Sequence, residues 1–251
     1  HNIGMLLKSK YNPINPYKIG LISRILIQKT RIRNLKNGLQ EIQQEVKLNN
    51  KYIYFPLHFE PERTTNPDGG FFQDQFLALS HLRKLVPDHI DIIVKEHPTQ
   101  FYLSGRGVKG RSPLIYNLFK NIKRVKISNT NSSSLALIKK AEFIATITGS
   151  VAIEAAIIGK PALTFGSAWF KGCPNVIPWS DQITYDQIVK SKIKPKEEII
   201  SYLIQHKDKH SIIGFTNGTF RKIHKDYVSK NFEYLQNRSV FKLLESLIND
   251  I

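Results

Sequence analysis

Between residues 51 and 165 the chain alternates short apolar runs with longer segments whose apolar residues recur every three or four positions. The short runs are 52–55, 91–94, 125–127, 143–147 and 162–165, all rich in β-branched or aromatic side chains. Runs of that length between turn residues read as strands buried on both faces. The intervening segments 73–86, 112–121, 133–140 and 150–158 read as helices. Strict alternation implies parallel βαβ units, because a parallel connection needs a long crossover. The expected fold class is therefore α/β, a Rossmann-like doubly wound parallel sheet with helices on both faces.

The flanks differ in texture. Residues 1–50 are basic and polar, with turn-forming Asn12-Pro13 and Asn15-Pro16 ahead of a helical pattern over 19–46. They read as a basic helical lead-in or interdomain segment. The sheet domain is expected over 51–210, with further helices at 184–190 and 196–206. A C-terminal part, 211–251, is expected to pack on it through the loop 210–219, marked by Gly214, Asn217 and Gly218, and a helix at 238–248.

Composition narrows the class. Hydrophobic residues make 41% and charged residues 23%, with Gly and Pro at 26 of 251, which excludes collagen-like and wholly disordered chains. The single cysteine, Cys173, forms no internal disulfide, and no Cys/His set has zinc spacing, so a reducing, cytoplasmic compartment is expected. The longest apolar runs, such as 151–158, fall far short of the roughly 20 residues of a membrane span. The chain starts at His1, without an initiator Met or a charged-then-apolar leader, and is read as a fragment or a processed chain. The 37 Lys and Arg against 20 Asp and Glu give +17, so anionic partners are expected. Nucleic acid, an anionic membrane surface and phosphorylated small molecules satisfy that charge equally.

In open parallel sheets, ligands bind beyond the carboxyl ends of the strands, so candidate chemistry is sought there. The second predicted strand ends in Lys95-Glu96-His97-Pro98. Lys95 can neutralise charge, His97 can donate to an oxygen and Glu96 can accept from a base or ribose hydroxyl, while Pro98 fixes the turn. The fourth ends in Thr146-Ile147-Thr148-Gly149-Ser150 and opens into a helix, where Gly149 admits a phosphate against free backbone N–H groups. Every position of 151–158 but Glu154 is apolar, so this helix is expected to be buried nearly all round and Glu154 to face a cleft or hold a partner, with a solvent-facing edge or an ion pair with Lys160 as the alternative. The tips of these two strands are expected to be neighbours clasping one phosphate. Gly166 after the last strand is a position where a ligand can approach, with a plain turn as the alternative.

Two loops add contacts: 56–70, carrying His58, Glu60, Glu62 and Arg63, and the basic 104–111, carrying Arg111 and read as flexible. Glu62 and Arg63 pairing with each other is equally open. Gly159-Lys160-Pro161 reads as a structural helix end. The turn 146–150 has neither the P-loop nor the Gly-x-Gly-x-x-Gly pattern.

With these residues the chain resembles the C-terminal, nucleotide-sugar-binding half of GT-B glycosyltransferases of bacterial capsular and surface polysaccharide synthesis, of the type related to Kdo transferases. The likeness runs from about Tyr52 to Phe170, through Tyr54-Phe-Pro-Leu-His-Phe-Glu-Pro-Glu-Arg-Thr-Thr65, Val94-Lys-Glu-His-Pro98, Thr148-Gly-Ser-Val-Ala-Ile-Glu-Ala155 and Gly159-Lys-Pro161. The resemblance implies that His97, Pro98, Thr148, Gly149 and Ser150 hold the donor nucleotide with Glu154 near its ribose. Lys95, Glu96 and Gly166, read from their places at strand ends, are added to these nucleotide contacts. His58, Glu62, Arg63 and Arg111 would contact the donor sugar or close over it. It implies transfer from a nucleotide-sugar such as CMP-Kdo to a glycan or glycolipid acceptor, with no cofactor beyond that substrate and no bound metal. It identifies no catalytic residue, because a complete enzyme of this kind has two such domains and half of it would lie upstream. Peripheral contact with the anionic inner membrane face is a further expectation, and nucleic acid is not an expected partner. The alternatives are a UDP-sugar 2-epimerase-like enzyme and a non-catalytic anion- or nucleic-acid-binding protein.

Overall fold

The computed structural model describes residues 16–46, 48–62, 65–102 and 106–210. The chain divides into two units, 1–196 and 197–251. The first contains strands β1 (Gln43–Gln44), β2 (Tyr52–Pro56), β3 (Asp91–Lys95), β4 (Val125–Ser128), β5 (Ile144–Thr146), β6 (Ala162–Thr164) and β7 (Val176–Pro178). Its helices are α1 (Pro16–Gln40), α2 (Gln75–Leu85), α3 (Gly107–Gly110), α4 (Leu114–Lys120), α5 (Ser134–Lys140), α6 (Val151–Ile157) and α7 (Tyr185–Val189). The second unit begins with α8, which starts at the boundary residue (Lys196–His210). The predicted helix at 238–248 and loop 210–219 lie outside the described residues, save His210, which ends α8.

The strands form one parallel sheet in the order β1-β4-β3-β2-β5-β6-β7. All five predicted strands are present, and β2 and β3 are buried along nearly their whole length, as continuous apolar runs require. Two edge strands are additions. β1 is a pair of glutamines and β7 ends in Pro178, so neither carries an apolar pattern. The helix predicted over 19–46 stops at Gln40, and Ile42 is buried in the turn that leads into β1.

Local sequence explains the helix limits. Asp74 accepts from the Phe76 amide at 2.8 Å to start α2, and Ser133 from the Ala136 amide at 3.3 Å to start α5. Gly159, at φ +80°, ends α6 in the left-handed conformation that favours glycine, as its sequence predicts. Ile32, Leu35 and Leu39 of α1, spaced for one helix face, enter the core with Ile53 and Phe55 of β2 and Leu79 and Leu82 of α2. The opposite side chains of β2 face the other layer, where the Tyr52 hydroxyl donates to the Leu137 carbonyl of α5 at 2.9 Å.

This order positions the site. From β2 the chain winds outward through β3 and β4, then returns to place β5 on the other side of β2 and winds outward again. Winding reverses between β2 and β5, so the connections leaving their carboxyl ends diverge and open a crevice. The expectation that β3 and β5 are neighbours is corrected here: β2 lies between them, because the first of the five predicted strands takes the centre of the sheet.

Candidate functional site

A cavity of about 370 Å³ lies at that crevice, reached by β2, β3, β5 and the loop after β6. The β3 side supplies Lys95 and His97. Lys95 is buried, and its Nζ donates to the Ser132 carbonyl at 2.6 Å and to Ser134 Oγ at 2.8 Å. An ammonium has three donors, so one remains for a ligand. Burial lowers its pKa. His97 is half-buried, and its Nδ1 receives the Thr99 amide at 3.3 Å and lies 2.7 Å from the Thr99 hydroxyl. An amide can only donate, so Nδ1 is the acceptor and the neutral ring carries its proton on Nε2. Burial pulls the His97 pKa down, with the nearby Glu62 charge opposing. At neutral pH His97 is thus an uncharged N–H donor on the cavity wall.

The floor is His58, whose backbone is held on three bonds. Its amide donates to Gln75 Oε1 at 2.8 Å, and its carbonyl accepts from Gln75 Nε2 at 3.3 Å and Arg111 Nη2 at 2.7 Å. Its Nε2 accepts from the Thr148 amide at 3.4 Å and lies 3.0 Å from Thr146 Oγ1, which accepts from the Gly149 amide at 3.2 Å. The proton therefore sits on Nδ1, 3.7 Å from the Glu62 carboxylate. A Cβ on residue 149 would lie 2.7 Å from Thr146 Oγ1 and 3.3 Å from the His58 ring, so glycine there serves this close packing.

The third wall is the turn from β5 into α6. Gly149, Ser150 and Val151 line the cavity, and the Ser150 hydroxyl does not cap the helix. One turn on, Glu154 faces the same cavity. The prediction that α6 is buried nearly all round is corrected: only Ala152, Ala155 and Ala156 are buried, and Glu154 is exposed at the rim. Its suggested partner Lys160 donates to the Ala141 carbonyl at 2.8 Å.

Several expected contacts have other roles. Glu96 is 1% exposed, and its carboxylate accepts from the His97 amide at 2.7 Å, the Tyr116 hydroxyl at 2.7 Å and Arg111 Nη2 at 3.2 Å. Buried with three hydrogen bonds already made inside the protein, it braces the site. Burial raises its pKa, with the Arg111 charge opposing. Arg111 is not on a flexible lid: its side chain is fully buried, pairing with Glu96 and with Glu60 at 3.4 Å. Gly166 admits the chain's own loop, since a Cβ there would lie 2.7 Å from the Asp68 carbonyl and 2.9 Å from the Gly69 Cα. Pro98 lines the cavity at the start of a short helical turn, Thr148 is buried beside His58, and Arg63 lies outside the described residues.

Sequence reasoning missed Tyr54, Phe59, Ser134, Thr146 and Trp169 as cavity residues. For Thr146 the signal was its place in the same strand tip as Thr148. Tyr54 sat inside an apolar run, its hydroxyl hydrogen-bonded to Ser134 and its pKa pushed up to about 12 by burial. Trp169 follows no periodic pattern.

The sequence matches the family described as capsule polysaccharide biosynthesis protein over residues 6–213. No curated protein matches it. Among solved structures it is similar to two from Thermosulfurimonas dismutans, described as KpsC, beta Kdo 2,7 transferase and KpsC, beta Kdo 2,4 transferase. The identities are 17% and 15%, with TM-scores of 0.42 each, covering 80% and 69% of this chain and 56% and 55% of theirs. A third, Methanocaldococcus jannaschii UDP-GlcNAc 2-epimerase in complex with UDP-GlcNAc and UDP, is 19% identical with a TM-score of 0.29, over 73% of this chain and 46% of that one. The chain thus spans about half the length of the solved structures it matches.

Proposed function

We propose, from the premise that the chain belongs to the capsule polysaccharide biosynthesis protein family, that it grips the donor of a glycosyltransferase extending a surface polysaccharide. One observation carries this reading. At the switch point of the sheet, Lys95, the His97 Nε2–H and the Gly149-Ser150 turn share a cavity with Glu154 on its rim. That set suits a phosphate with a pentose attached: cationic and N–H donors for the phosphate oxygens, and a carboxylate to accept from the ribose diol.

The chemistry is positioning and charge stabilisation. When the bond between the anomeric carbon and the phosphate oxygen breaks, negative charge builds on the departing nucleotide. Donors already fixed by Thr99, Ser132 and Ser134 stabilise that charge without reorganising. CMP-Kdo is the donor we favour, and a glycan or glycolipid the acceptor.

Calorimetric titration with CMP, UDP and GDP tests the reading. CMP is expected to bind and His97→Ala to abolish the heat. A preference for UDP would favour the epimerase-like alternative. Binding that collapses with salt and ignores His97→Ala would instead point to the basic surface. Absence of binding by all three would refute the donor site.

A further inference from the structure

The chain has two tryptophans with opposite fates. Trp179 is half-buried, stacked on Phe165 at 4.8 Å inside a cluster with Phe72 and His81. Trp169 is 59% exposed yet lines the cavity. Its flanking residues, Ala168 and Phe170, are buried, and the Phe170 ring meets the indole edge-on at 5.3 Å. The loop is further tied by the Ser167 amide to the Asp68 carbonyl at 2.8 Å and by the Lys171 amide to the Ala168 carbonyl at 2.9 Å. The backbone is thus anchored on both sides, and a large apolar plane is presented, already ordered, at the edge of the cavity.

Position in the sheet says which part of a ligand it meets. Lys95 ends β3 and His97 follows it, whereas Trp169 follows β6, two strands beyond the central β2. A phosphate clasped between the tips of β3 and β5 leaves the indole, one strand further out, facing a different part of the same molecule. From these observations, and resting on the donor-site reading above, we infer that Trp169 is a stacking platform for a ring of the nucleotide-sugar, its base or its pyranose. Both rings offer a face to an indole.

The test compares wild type, Trp169→Ala and Trp169→Phe by calorimetry with four probes: inorganic phosphate, ribose 5-phosphate, CMP and CMP-N-acetylneuraminic acid. The ring-bearing probe is expected to lose about tenfold in affinity in Trp169→Ala, and Trp169→Phe to restore part of it. Phosphate and ribose 5-phosphate are expected to bind all three proteins alike. A loss that begins with CMP assigns the base, and one that begins only with the CMP-sugar assigns the pyranose. Equal losses for all four probes would overturn the inference in favour of a structural role, as would no loss for any. Failure of CMP and the CMP-sugar to bind wild type would instead sink the donor-site reading and this inference with it.

Discussion

Replacing Arg111 with Met separates a bracing role for Glu96 from a ligand-contacting one. The guanidinium is fully buried, 3.2 Å from Glu96 and 2.7 Å from the His58 carbonyl, and it pairs with Glu60. Arg111→Met keeps the volume but leaves the Glu96 carboxylate buried with only the Tyr116 hydroxyl and the His97 amide. Breaking one side of a buried pair costs about 3–5 kcal/mol. For a domain of this size, at about 2–4 °C per kcal/mol, Tm should fall by roughly 6–20 °C. Glu96→Gln removes the charge that was stranded, so the double variant is expected to recover at least half of the loss. Acidification should act in the same direction. A carboxyl whose folded pKa lies above its unfolded value binds its proton more tightly when folded, so the Arg111→Met deficit should narrow as pH falls from 7 toward 5. Thermal melts of the three variants at both pH values measure all of this. A deficit under about 1 kcal/mol, or strictly additive losses, would refute the bracing account, as would Glu96→Gln weakening nucleotide binding with stability intact.

Three other outcomes follow from the geometry. Gly149→Ala puts a Cβ 2.7 Å from Thr146 Oγ1, and the overpacking should cost about 1–3 kcal/mol in a denaturant melt while displacing His58 and weakening CMP binding. Glu154→Ala should weaken CMP about tenfold, as expected for lost hydrogen bonds to a charged group, while leaving inorganic phosphate unaffected; equal effects on both would remove Glu154 from the ribose site. The His97 pKa is lowered by burial, so the unfolded chain takes up that proton first. Its contribution to stability is complete above the ordinary histidine value and is lost as pH falls below it, and His97→Gln should flatten the fall in Tm between pH 7 and pH 5.

The central five strands and their helices were legible because a parallel sheet covered on both sides demands apolar runs such as 52–55. The edges were not: β1 pairs only with β4, and two glutamines carry no hydrophobic signature. At the site, Lys95, His97, Gly149 and Ser150 could be assigned from their places at strand tips, since topology fixes where those tips lead. Glu96 looked identical to its neighbours in sequence. Only the long-range partners Arg111 and Tyr116, 15 and 20 residues away, reveal its bracing role. Gly166 illustrates the same limit, because a glycine that admits a ligand and one that admits a neighbouring loop have the same signature, and Asp68 settles which it is. Strand order was the other unreadable feature, since pattern alone does not say that β2 occupies the middle.

The most direct test of the phosphate clasp is a ¹⁵N-resolved spectrum of the protein titrated with CMP. The account predicts that the His97 Nε2–H signal and the amides of Gly149 and Ser150 move together and saturate with one affinity. Shifts confined to the lysines and arginines of α1, or a His97 signal that stays still while CMP binds, would contradict it.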